Sequence, residues 1–300
     1  MNIQGRPLIL LALLVAMILL MSACSQTTTG VAPSNLSSID VLQKSADTMK
    51  QLKSSHVEIK SNSNVQTTGG TSANSSNSTP SGATNSTFAL TASGDQALPD
   101  GMEQLAIDLN ATKLKEVLQG DKVYVQNGQG QWYVFNKSDF DNIATNPFSG
   151  VSLDQTTVLG AIENIKLDDH GADTLNGQSM RHITATLDKD AFKAIVSQNP
   201  QLKSAFGQQD INTLLKSTKK FLSTVDVWID EKQFYVHRTQ LKWDIDADTS
   251  AVGKGAPSNV ASTLDTTVDL SNFNVPVTIN PPTNAIPTKD PTVIFGKSKV

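Results

Sequence analysis

Apolar positions along this chain change period several times, and each change marks a predicted element. Ile39, Leu42, Ala46, Met49 and Leu52 recur at helical spacing, with Ser37 or Ser38 placed to cap the helix. From Ser55 the period drops to two, Val57 and Ile59 alternating with Glu58 and Lys60. Alternation returns at Phe88–Leu90, Leu105–Leu109, Lys113–Leu118, Lys122–Gln126 and Trp132–Phe135. Gln119-Gly120-Asp121 and Asn127-Gly128-Gln129-Gly130 separate the last of these. Such connections are too short for parallel crossovers, so the spacing predicts an antiparallel meander.

The middle of the chain reads as helical. Asp154 is placed to cap a segment striped by Val158, Leu159, Ile162 and Ile165. A hairpin, Lys166–Asp173 and Ser179–Leu187, turns at Asn176-Gly177, and Asp188 then caps a short helix bearing Phe192, Ile195 and Val196. Pro200 interrupts it, and Asp210 caps another carrying Ile211, Leu214, Leu215, Phe221 and Leu222. Strands return at Thr224–Asp230, Gln233–Asp246, Ser262–Leu270 and Val275–Ile279. The sum is one α+β domain over 38–280: a large antiparallel sheet with its helices in two blocks.

Two segments fall outside that pattern. Residues 61–86 are almost wholly Ser, Thr, Asn and Gly, a composition that buries too little apolar surface to offset its ordering entropy, and they read as a disordered insertion. Residues 281–300, with Pro281, Pro282, Pro287 and Pro291, read as a flexible tail.

The N-terminus fixes the compartment. Arg6 supplies a positive charge, and Leu8 to Leu20 form an apolar run of 13 residues, the length of a signal-peptide core and short of the roughly 20 a spanning helix needs. Leu20-Met21-Ser22-Ala23-Cys24 follows, which looks like a bacterial lipobox, and Cys24 is the only cysteine in the chain. An exported protein with one thiol has no internal disulfide partner for it. The expectation is a signal peptide over 1–23, acylation of Cys24 and a tether over 24–37. The rest then sits outside the cytoplasm, anchored to the cell membrane by palmitate-like chains; two or more are needed because one acyl chain attaches only reversibly.

Net charge is −4, which gives no basic field for nucleic acid. There is no P-loop, G-x-G-x-x-G, H-E-x-x-H or G-x-S-x-G motif. His56, His170, His182 and His237 lack metal-ligand spacing, and Asp244, Asp246 and Asp248 share one face of a strand without the glycine and glutamate of a calcium loop. The expectation is a non-enzyme with no cofactor, no metal and no nucleic-acid partner.

Val225, Val227 and Ile229 alternate with Asp226, Trp228 and Asp230, and Leu241, Trp243, Ile245 and Ala247 with Lys242, Asp244, Asp246 and Asp248. One sheet face is therefore dry and needs a cover. Alternation alone does not distinguish a filled core from a cavity. The order of elements adds to this. A helix running into Lys53-Ser54-Ser55-His56-Val57-Glu58-Ile59, the hairpin Gly120-Asp121-Lys122-Val123-Tyr124-Val125, the strand Trp132-Tyr133-Val134, central helices and Val275-Pro276-Val277-Thr278-Ile279 together resemble the LppX/LprAFG lipoprotein family of actinobacteria and their relatives. That family shares its architecture with the LolA and LolB lipoprotein carriers. The resembling stretches are Ser38–Lys60, Asp121–Phe135, Leu175–Leu187, Val225–Gln240 and Leu270–Ile279.

The resemblance implies a half-open antiparallel barrel with helices on its concave side and a hydrophobic pocket holding the acyl chains of a lipid, glycolipid or lipoprotein. The lining expected of it is Phe88, Leu90, Leu105, Ile107, Leu109, Val225, Val227, Ile229, Leu241 and Ile245 from the sheet, with Phe192, Leu214 and Leu215 from the helices. The alternative is an envelope sensor or regulatory lipoprotein that binds a protein partner through the same half-barrel.

Overall fold

The computed structural model describes residues 35–69, 84–98, 100–138, 155–162, 165–198, 211–250 and 258–294. Cys24, the signal peptide, most of the tether and the cap positions Asp154 and Asp210 lie outside these residues. Among the described residues no helix is long and apolar enough to cross a membrane.

The first helix, α1, spans Ser38–Lys50 and starts as its sequence directs. The Ser37 side chain accepts from the Asp40 amide at 3.2 Å while Asp40 accepts from the Ser37 amide, so two amides that lack helical partners are satisfied. The inward stripe of α1 buries Val41, Leu42, Ser45 and Met49.

Eleven strands follow in antiparallel order. They are β1 (Ser54–Thr68), β2 (Thr84–Ala97), β3 (Met102–Leu109), β4 (Thr112–Gln119), β5 (Lys122–Gln126), β6 (Trp132–Asn136), β7 (Leu167–Leu175), β8 (Gln178–Thr186), β9 (Thr218–Ile229), β10 (Val236–Asp248) and β11 (Asn259–Ser271). Three short helices, α2 (Gln155–Ile162), α3 (Lys189–Gln198) and α4 (Ile211–Lys216), lie between them in sequence. A last two-residue strand, β12 (Ile286–Pro287), pairs parallel with β6. All twelve strands form one sheet in the order β12-β6-β5-β4-β3-β2-β1-β11-β10-β9-β8-β7. Its two edges, β12 and β7, do not meet, which makes it the half-open barrel of an α+β fold with helices on one side. Asn176 and Gly177, both at positive φ (52° and 78°), make the β7–β8 turn where the Asn-Gly pair predicts one.

One close approach shapes the curve. A Cβ added at Gly94 in β2 would lie 1.8 Å from the Gln104 carbonyl oxygen of β3. Only glycine lets the two backbones come together there.

Four expectations are corrected. The strands run deep into the Ser/Thr/Asn-rich stretch: β1 continues to Thr68 and β2 begins at Thr84, so 61–68 and 84–86 are paired strand. Pairing on both sides, β1 with β2 and with β11 along its length, supplies the hydrogen bonds, and hydroxyl pairs such as Ser61–Thr266 (2.7 Å) and Thr67–Thr84 (2.5 Å) add to them. Residues 70–83 of the predicted insertion lie outside the described residues. The helix expected to carry Phe221 and Leu222 stops at Lys216; both residues sit in β9, where pairing with Ile245 and Asp244 outweighs helical spacing.

Val275–Ile279 is not a strand, because Pro276 lacks an amide, and among the described residues no ladder pairs with it. It is held instead by the Ser54 hydroxyl on the Val275 carbonyl (2.6 Å) and by burial of Ile279. The tail expected from 281 onward docks as far as Ile294. Thr288 donates to the Val134 carbonyl (3.0 Å), and the 3₁₀ turn Pro291–Ile294 buries Ile294, covering the edge that β6 would otherwise expose. Its prolines lower the entropy lost on docking.

Candidate functional site

The dry face is continuous across the sheet and lies beneath the helices. Val57 and Ile59 of β1, Leu105 and Ile107 of β3, Val225, Val227 and Ile229 of β9, and Leu241, Trp243 and Ile245 of β10 belong to one buried cluster. Facing them are Val41, Leu42 and Met49 of α1, Val158, Leu159 and Ile162 of α2, Phe192, Ile195 and Val196 of α3, and Leu215 of α4. Phe192 packs edge-on against Phe221 and Trp243 at centroid distances of 5.4 and 5.6 Å. The buried Thr239 hydroxyl donates to Gln155 at the start of α2, tying that helix to β10. The helices contact one another in series, α1 with α2, α2 with α3 and α3 with α4.

The residues expected to line a lipid pocket are thereby brought together. Leu90, Leu105, Ile107, Leu109, Phe192, Leu215, Val225, Val227, Ile229, Leu241 and Ile245 are all buried in this cluster. Leu214 is buried as well, and Phe88 packs against the cluster half-buried.

Two carboxyl groups interrupt the dry face, and sequence reading passed over both. Glu103 shares the apolar phase of β3 with Leu105 and Ile107, and Glu116 shares that of β4 with Leu114 and Leu118. Glu116 is buried, and its Oε2 has no hydrogen-bond partner among the described residues. Burial pushes the Glu116 carboxyl up to about 8, with the neighbouring Glu103 raising it further and Lys137 opposing. Burial likewise raises Glu103 to about 7 against Lys137. A carboxylate in the apolar phase of an alternating strand was the available signal.

At the far end of the same side, α1 is pinned to the sheet. Arg181 of β8 pairs with Asp169 and, at 3.4 Å, with Glu231, and its guanidinium also donates to the Leu36 carbonyl just before the helix. Ser38 donates to Asp169 at 2.6 Å. Burial would raise the Asp169 carboxyl, but hydrogen bonds from Arg181, Ser38 and the Gly171 amide outweigh it and bring the group down to about 2.

The opposite face is polar and holds the histidines. His170 stacks on His182 (4.5 Å), His182 on Trp228 (4.2 Å), and the Arg238 guanidinium lies 5.9 Å from the Trp228 ring. Asp226 accepts from His182 (3.1 Å) and from Thr184, and Asp173 accepts from the Trp228 indole (2.9 Å), a bond that lowers the Asp173 carboxyl. Arg238 makes a two-pronged pair with Asp269 at 2.5 and 2.7 Å. Among the described residues no group of His, Cys, Asp and Glu is arranged to hold a metal. The row Asp244, Asp246 and Asp248 lies on the polar face of β10, with Lys220 on Asp244 and Lys219 on Asp248.

Three cavities are bounded by described residues on this polar side. One of about 760 Å³ crosses β11, β1, β2, β3, β4 and the β5–β6 turn. A second, about 520 Å³, shares Glu58 and Asp269 with it and runs to Asn176, Gln178 and Phe273. A third, about 300 Å³, lies between Leu222, Lys242 and Asp265. Of the predicted lipid-lining residues, only Ile107 borders any of these three.

No curated protein matches the chain. Among solved structures, the Mycobacterium tuberculosis lipoprotein LppX aligns at 17% identity over 81% of this chain and 97% of its own, with a TM-score of 0.45. LprF from Mycobacterium bovis aligns at 18% identity over 84% and 99%, with a TM-score of 0.40. A DUF1329 family protein from Desulfovibrio piger aligns at 10% identity over 81% and 93%, with a TM-score of 0.26. LppX and LprF are members of the group that the sequence resembles. The model of a family of unknown function, DUF6612, matches residues 37–289, and the chain belongs to that family.

Proposed function

We propose that the protein is an extracytoplasmic lipoprotein, held at the membrane through acylated Cys24, that binds the acyl chains of a lipid, glycolipid or lipoprotein between its sheet and helices and carries or presents them in the envelope. The observation that carries this reading is the roof of the dry face: helices of 13, 8, 10 and 6 residues cover an apolar surface that extends from β1 to β5 and from β8 to β11. Helices this short have little stability of their own and depend on the surface beneath them.

Magnitudes favour exchange. Lifting α3 exposes Phe192, Ile195 and Val196, which costs about 4.5–9 kcal/mol at roughly 1.5–3 kcal/mol per side chain. Burying one long acyl chain returns on the order of 10 kcal/mol at about 0.8 kcal/mol per methylene, before ordering costs. Residues Leu105, Ile107, Leu109, Val225, Val227, Ile229, Leu241 and Ile245 would then form the floor under the guest, with Phe88 and Leu90 at one side and Leu214, Leu215 and Phe192 displaced with the roof. The reading needs no catalytic residue.

Native mass spectrometry of the as-purified and delipidated protein tests it. The expected result is co-purifying lipid at fixed stoichiometry, lost in Val227→Trp or Ile107→Arg variants whose circular dichroism is unchanged. An interior that stays empty, together with a specific envelope protein partner, would replace this reading with that of a sensor or regulatory lipoprotein.

A further inference from the structure

The dry face of β3 and β4 carries two acids in surroundings that satisfy neither. Glu103 follows the inward phase of Leu105 and Ile107, and Glu116 that of Leu114 and Leu118. Register puts Glu116 opposite Leu105 on one side and Val125 on the other, and Glu103 opposite Leu118. The two glutamates are therefore diagonal neighbours across one strand pair, about 7–8 Å apart along the backbone. That spacing lets both carboxyl groups reach one small group held between them.

No described residue meets them there. Glu116 is only 9% exposed, and its Oε2 is without a hydrogen-bond partner among the described residues. Lys137, just past β6, is exposed and attracts both acids through space, with no ion pair to either among the described residues. Tyr133, opposite Val125, shares their side of the sheet. The roof brings no charge of its own: the buried side chains of α1, α3 and α4 are uncharged, and α2 contains no ionisable residue. Both acids ionised against Lys137 alone leave the site one positive charge short. In the closed form protons make up the difference, held by burial to about 7 on Glu103 and about 8 on Glu116.

The same shortage selects a ligand. Two carboxyl groups fall well below the about six to eight oxygens that calcium takes, and among the described residues no third acid, histidine or cysteine joins them. A cationic peptide side chain would bring its polar backbone onto an apolar surface, at a cost that nothing there offsets. What fits is a single ammonium attached directly to hydrocarbon, because Leu105, Leu114, Leu118 and Val125 surround the two acids with apolar atoms.

We infer that Glu103 and Glu116 receive the head of an amphiphile that carries one ammonium group and no negative charge, its hydrocarbon chain lying on the apolar floor beside them. This rests on the lipid reading and sharpens it: the floor takes the chain, and the two acids choose the head. Binding exchanges protons for the ammonium, so affinity should rise with pH through about 7 and about 8 as the empty site loses its protons, and level off above.

The test titrates the delipidated full chain, in one non-ionic detergent, with dodecylamine, dodecanol and dodecyl phosphate at pH 6, 7, 8 and 9. Binding is followed by tryptophan fluorescence, to which Trp243 of the dry face contributes. The expected result is a preference for the amine over the alcohol of about tenfold or more at pH 8, shrinking several-fold at pH 6. Glu116→Gln, with an unchanged circular dichroism spectrum, should reduce that preference to about twofold or less at every pH, and Glu103→Gln should reduce it part-way. Partition into the detergent is common to parent and variants and cancels between them. Equal affinity for amine and alcohol in the parent, or a preference that survives Glu116→Gln, would overturn the inference and leave the lipid reading standing. Tightest binding of dodecyl phosphate would do the same, marking the acids as proton donors to an anion. Binding of none of the three would overturn the lipid reading and this inference with it.

Discussion

Replacing Glu116 by Gln should make the protein more stable, and the gain should grow with pH. The folded chain holds the Glu116 proton to about 8, whereas an unfolded glutamate releases it near 4.5. Between those values the folded state binds more protons than the unfolded one, so wild-type stability falls as pH rises from 4.5 to 8 and levels off above. Each unit of difference is worth about 1.4 kcal/mol, which puts the loss from this group at roughly 3 kcal/mol at pH 7 and roughly 4 kcal/mol at pH 8, as an order of magnitude. Glutamine has nearly the same shape and does not ionise. Urea denaturation followed by circular dichroism at pH 5, 6, 7, 8 and 9 should show the two proteins within about 1 kcal/mol of each other at pH 5. The curves should part by several kcal/mol at pH 8. Changes in net charge are shared by both proteins and cancel in the difference. Parallel curves at every pH would show that the Glu116 side chain reaches water or a cation in the folded protein, and the assignment of a neutral buried acid would fail.

Three further outcomes follow from particular contacts. Arg181→Met removes the cation shared by Asp169 and Glu231 and should cost about 3 kcal/mol in denaturation at pH 7. The Asp169 share of that loss is present above the ordinary carboxylate value and fades as pH falls toward 2, so a loss that is the same at pH 7 and pH 2.5 would contradict the pairing. Gly94→Ala places a methyl group 1.8 Å from the Gln104 carbonyl and should destabilise by about 3 kcal/mol or more, while Ala92→Gly should cost only about 1 kcal/mol. Cys24→Ser should move the protein from the membrane to the soluble fraction on cell fractionation, and continued pelleting with membranes would refute acylation at that residue.

Local pattern was enough for most elements. The α1 helix, its Ser37 cap, the β3–β6 meander and the Asn176-Gly177 hairpin stand where spacing and turn chemistry put them, because each is decided by neighbours within a few residues, although the inward stripe of α1 is turned toward Val41 and Ser45 and leaves Ile39 exposed. The errors share a cause. Residues 61–68 look too polar to be ordered, yet a strand between two partners draws its hydrogen bonds from β2 and β11, not from its own composition. Phe221 and Leu222 have helical spacing behind Leu214 and Leu215, but pairing with β10 decides their state. The proline-rich tail looks loose until β6 offers an unpaired edge.

Alternation alone established that one face of this sheet must be dry and that Val227, Ile107 and Leu241 belong to it, since period two is a property of the strand itself. It had no means of establishing what covers that face. Only tertiary packing brings α1–α4 over it, sets two carboxyl groups from β3 and β4 into it, and aligns Glu58, Ser93, Ala106 and Lys115 from four strands along one cavity on the other side. Those meetings depend on strand register between residues as much as 215 positions apart (His56 and Ser271), and register is an outcome of the whole sheet, not of any single segment.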